Sequence, residues 1–195
     1  VKRIYKYLLW TTVSVVILAI GYYMFATAAL SGAFDKHYSV DEAIHNYNDR
    51  EKEILNLADY FRRNKPANHE VFFSAQKKRF NLSIGLPSWA VMEKFPNRHG
   101  SNLKLETAEA ETLLSELGWT DNIVIELTEK LMKANCLSIS SNENTIDVHY
   151  RTGTWSSYSY IVFDKPISDS LKKVYDEAKI TMLRDNVKLA TSHAL

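Results

Sequence analysis

The sequence lacks almost everything that marks a specialised chain. A single cysteine, Cys136, in 195 residues excludes a disulfide scaffold and a zinc site built on several thiolates. Six glycines and four prolines exclude collagen-like and linker-like compositions. Neither sign of charge dominates: 24 lysines and arginines face 23 aspartates and glutamates. No basic field is left to attract nucleic acid, which is not expected as a partner. There is no glycine-rich phosphate loop, paired-thiol motif or dinucleotide fingerprint, so no cofactor is expected. What is present is a globular composition, 46% hydrophobic and 24% charged, which excludes a disordered chain.

Charge is also missing locally. Residues 7–34 carry none, and Lys2, Arg3 and Lys6 precede them. As a helix, residues 7–30 would rise roughly 36 Å, against a hydrocarbon core of about 30 Å. With Tyr5, Tyr7 and Trp10 at the basic end, this pattern predicts a signal anchor in a lipid bilayer. Basic flanks stay inside, so residues 1–6 are expected in the cytoplasm and 7–30 across the membrane. Residues 31–40 then form a juxtamembrane linker, and 41–195 an extracytoplasmic domain. The rival is an export signal cleaved near Ala28, at Ala26-Thr27-Ala28. Its apolar run exceeds the roughly 7–15 residues of a typical signal core.

The remainder predicts one α+β domain. Apolar residues at helical spacing predict helices over 41–64, 107–117 and 121–134. Gly118 suits the end of the second and Asp121 the start of the third. Ser168 can cap a last helix running to about residue 191. Period-two alternation predicts five strands, over 71–75, 80–84, 137–140, 145–151 and 155–163. Strands that follow one another directly make a largely antiparallel sheet, packed by about four helices. Residues 85–105 are irregular, with a possible short helix over 88–95.

Four groups of residues have chemical potential. Asp147, His149 and Arg151 alternate along one strand, and Ser157 or Ser159 on the next strand can face His149. These are the parts of a nucleophile, base and acid set. Yet no Gly-x-Ser-x-Gly turn exists, and the same alternation describes the wet face of an antiparallel sheet. Trp155, Tyr158, Tyr160 and Tyr150 form the densest aromatic group, and a ring on the uncovered sheet face would suit protein recognition. Arg98 and His99 lie in the irregular loop, where they can bind an anion or move a proton. His37, Asp41 and His45 are spaced four apart, but a solvated mixed-charge helix face fits them better than a metal site. Asn81-Leu82-Ser83 matches a glycosylation triplet inside a predicted strand, and Cys136 reads as a buried, inert thiol.

A membrane-anchored binding or interaction protein of unstated specificity is the function these features favour. An immunity-type protein that neutralises a toxin at the membrane is the first alternative. A hydrolase using His149 with a nearby serine is the second.

Overall fold

The computed structural model describes residues 2–30, 38–66, 69–85, 99–142, 144–152, 156–178 and 180–193. They divide into two units, Val1–His37 and Tyr38–Leu195. The first holds one helix, α1 (Lys2–Leu30), with side chains described over residues 13–27. Val15, Ile17, Leu18 and Ile20 are exposed there, and the Thr27 hydroxyl donates back to the Tyr23 and Met24 carbonyls at 2.9 Å each.

The expected bilayer span over 7–30 is corrected. Among the described residues no helix is long and apolar enough to cross a membrane. Single-pass anchoring, the cytoplasmic N-terminus and the extracytoplasmic side all rested on the span and fall with it. The cleaved-signal reading needs no spanning length and is unaffected.

The second unit begins with α2 (Val40–Asn64), followed by β1 (Val71–Gln76), β2 (Arg79–Ile84) and β3 (His99–Leu103). Two helices come next, α3 (Ala108–Leu117) and α4 (Asp121–Lys133), then β4 (Ser138–Asn142), β5 (Thr145–Thr152) and β6 (Ser156–Phe163). The chain closes with α5 (Asp169–Glu177), β7 (Met182–Arg184) and β8 (Val187–His193). The strands form one antiparallel sheet in the order β3-β2-β1-β4-β5-β6-β8-β7. The α+β class, the antiparallel pairing and the four helices of this unit, α2 to α5, are therefore as expected, but among the described residues eight strands stand where about five were predicted.

Local sequence accounts for most element ends. Ser39 and Glu42 close a capping box at the start of α2, their side chains and backbone amides bonding reciprocally at 3.1 Å. Gly118 ends α3 in the left-handed region, φ 65°, where a Cβ would be strained. Thr120 rather than Asp121 is the residue preceding α4. The β1–β2 hairpin turns on Lys77 and Lys78, one residue tighter at each end than strands over 71–75 and 80–84 imply.

The largest correction concerns residues 168–191. A single helix was expected, yet α5 stops at Glu177 and the rest becomes the β7–β8 hairpin around Asp185 and Asn186. β8 pairs with β6 from Val187↔Val162 to His193↔Ser156. Without it β6 would be a long bare edge, and covering such an edge satisfies a row of backbone donors and acceptors. Leu171 and Val174, which helical spacing would turn inward, are exposed, and α5 buries no residue. β3 escaped notice because His-Gly-Ser-Asn-Leu has no alternation; only Gly100 and Leu103 face inward.

One sheet face carries the core. α2 lies across β4, β5, β6 and β8, and α4 packs against α2 and β1. Tyr47, Ile54, Leu57 and Phe61 of α2 meet Phe73, Leu82, Ile139, Val148 and Tyr160 of the sheet. Trp119 closes one end, its ring 6.1 Å from both Phe61 and Phe73, and its Nε1–H donates to the Asn64 carbonyl at 2.8 Å.

Candidate functional site

The other face of the same strands is polar. Pairing sets Asn81, Ser74, Ser138, His149 and Ser159 side by side across β2, β1, β4, β5 and β6. The neighbouring row runs Ser83, Phe72, Ser140, Asp147, Ile161 and Lys188. The first row, with Phe72, Ser140 and Asp147 of the second, floors an open groove of about 720 Å³, rimmed by Arg79, Asn102, Leu137 and Thr152. No helix covers it. α5 reaches this face only at the β8 end, where Lys188 Nζ sits 4.7 Å from the Tyr175 ring and 5.7 Å from that of Phe163.

The floor is pre-arranged by its own hydrogen bonds. Asn81 Nδ2 donates to Ser74 Oγ at 2.9 Å while its Oδ1 accepts the Asn102 amide at 2.7 Å. His149 holds two hydroxyls, Ser159 Oγ at 2.7 Å from Nδ1 and Thr152 Oγ1 at 2.6 Å from Nε2. The second contact depends on a bulge. The register steps from His149↔Ser159 to Arg151↔Tyr158, so two residues of β5 oppose one of β6. Thr152 is thereby returned to the open face beside His149.

That bulge corrects the expectation that Arg151 shares a face with Asp147 and His149. Arg151 instead lies over the Tyr150 ring at 4.7 Å and donates to the Asn135 side chain at 2.6 Å. Burial pushes the Asp147 carboxyl above its ordinary range, against the Thr145 hydroxyl and the Lys188 charge, which lower it. Burial pushes His149 below its ordinary value. Both shifts favour the uncharged side chain.

The pieces of a hydrolytic set are therefore close but not connected. His149 reaches Ser159, whereas Asp147 accepts from Thr145 at 3.3 Å rather than from the imidazole. Ser159 stands mid-strand between β5 and β8, its peptide groups engaged in the ladder rather than free to stabilise an oxyanion. Ser157 pairs with Ser192 at 2.5 Å.

The aromatic group is placed otherwise than a recognition surface requires. Tyr158 is 3% exposed and Tyr160 fully buried, both on the helix side. Tyr158 donates to the Tyr38 carbonyl and Tyr160 to that of Ala43, each at 2.8 Å. The expected exposed ring is thus core, because alternation from Tyr158 through Val162 matches the covered face. Trp155 and Arg98 lie outside the described residues, as do the proposed turn over 88–95 and His37. His99 is exposed on β3, its Nδ1 2.5 Å from Ser83 Oγ. His45 pairs with Asp49 at 3.3 Å, and among the described residues no cluster of histidine, cysteine or acidic side chains could hold a metal ion. Cys136 is buried, its thiol pushed up to about 12 by burial. Asn81 is tied down on both amide atoms, a poor posture for a glycosylation acceptor.

Sequence reasoning found His149, Asp147 and Ser159 but missed Ser74, Asn81, Ser138, Ser140 and Phe72. The signal was the recurrence of serine and asparagine among the outward positions of β1, β2, β4 and β6. Compared with known proteins, the chain matches no family model, and neither a curated protein nor a solved structure is significantly similar to it.

Proposed function

We propose that the Tyr38–Leu195 unit is a binding protein whose site is the groove on the open sheet face. The observation that carries this reading is the groove itself: about 720 Å³, within the range of roughly 300–1,000 Å³ typical of ligand sites. Its floor of fixed hydroxyl and amide groups supports binding over catalysis, because among the described residues no acid orients the histidine and the serine has no free oxyanion donors beside it. Asp147 and His149 are read as ligand-facing hydrogen-bonding groups, with Ser159 and Thr152 setting the imidazole's orientation.

A thermal-shift screen of the full chain against a chemically mixed small-molecule library tests this. Ser140→Trp, half-buried at the centre of the floor, fills the groove from the face away from the core. Hits that raise the melting temperature of the wild type and not of Ser140→Trp are the expected result. Absence of hits, or hits that persist in the variant, overturns the reading.

A further inference from the structure

We infer that the groove selects an uncharged, polyhydroxylated ligand, a stretch of neutral oligosaccharide. This rests on the groove being a binding site and adds the chemistry of what it takes.

The floor cannot recognise an extended peptide by strand addition. β1, β4, β5 and β6 are each paired on both sides, so their backbone donors and acceptors are already engaged. Recognition must come from side chains. Those of Ser74, Ser138, Ser140, Thr152 and Ser159 are hydroxyls, each able to donate and accept. Sugar hydroxyls have the same dual character, and an array of such groups satisfies them reciprocally.

Charge argues the same way. An anionic ligand calls for several cations, and among the described lining residues Arg79 is the one cation, exposed at the hairpin end. A cationic ligand would meet a carboxyl that burial biases toward its neutral form. Phe72 adds an apolar surface. It is half-buried on the open face, paired with Ser140 and Ser83, and a ring so placed suits the C–H face of a pyranose. The five strands of the floor span roughly 19 Å at about 4.8 Å per strand, room for several linked sugars.

The test is an array of neutral oligosaccharides beside sulfated oligosaccharides and unmodified peptides, probed with the full chain and followed by calorimetry on the best probe. A neutral oligosaccharide is expected to bind, and Ser140→Trp to weaken it about tenfold or more. Ser74→Trp serves as the blocking variant should Ser140→Trp not fold. Binding confined to sulfated probes or peptides, yet lost in the blocking variant, overturns the ligand class and leaves the groove as a binding site. No binding by any probe, or binding that the blocking variants do not touch, overturns both.

Discussion

The two faces of the sheet are built from the same strands, one residue apart, and they have opposite chemistry. Toward α2 stand Phe73, Leu82, Ile139, Val148 and Tyr160; away from it stand Ser74, Asn81, Ser140, His149 and Ser159. The first face is where folding free energy resides, since fully burying a large apolar side chain contributes about 1.5–3 kcal/mol. The second contributes little to stability, and its hydroxyls at Ser74, Ser159 and Thr152 are bonded to Asn81 and His149 of the same face. A stretch such as β6 therefore carries a structural residue and a ligand-facing residue in direct succession.

The sharpest way to break this contrast is at Tyr160. Tyr160→Ala removes a fully buried ring and is expected to cost about 3–5 kcal/mol by urea denaturation; a cost near that of a surface change would mean the helix-side face is not the core. Asn46 comes next. It is buried, donates to the Tyr160 hydroxyl at 3.0 Å and accepts from Asn135 at 2.9 Å, so Asn46→Ala should cost about 1–3 kcal/mol by stranding those partners.

The open face titrates, and there the effects are smaller. His149 has its pKa depressed by burial, so its neutral form is favoured in the fold. Its contribution is complete above the unfolded value of about 6.5 and declines as pH falls below it. His149→Gln should flatten that acid-side decline in a series of denaturation curves. Asp147 runs the other way: its carboxyl is raised, so the penalty is present when it is ionised and fades as pH falls. Asp147→Asn should raise stability at neutral pH and leave it unchanged in acid. Smallest of all is Ser159→Ala, one residue from Tyr160, expected to shift stability by no more than about 0.5 kcal/mol. A cost of several times that would make the open face structural rather than a binding floor.

Much of this contrast is legible in the chain. Alternation along β5 sets Asp147 and His149 on one side and the buried Ile146, Val148 and Tyr150 on the other. It also left Ser159 as a partner for His149, which the register provides. The aromatic hairpin was misjudged because Tyr158 and Trp155 differ in parity, and parity alone does not say which side a helix covers. Arg151 was misplaced because a bulge is a property of two strands together, invisible in either one.

Local chemistry by itself determined the α+β class, the α2 capping box, the Gly118 stop and the two-sided patterning of the central strands. Those follow from near neighbours in sequence: side-chain period, cap hydrogen bonds and backbone sterics. Tertiary structure alone decided that residues 182–193 pair rather than coil, that β3 joins the sheet, and that the bulge turns Arg151 away while returning Thr152 to His149. Each depends on a partner distant in the chain. A strand edge that needs its hydrogen bonds met outweighs the few tenths of a kcal/mol by which a residue prefers helix.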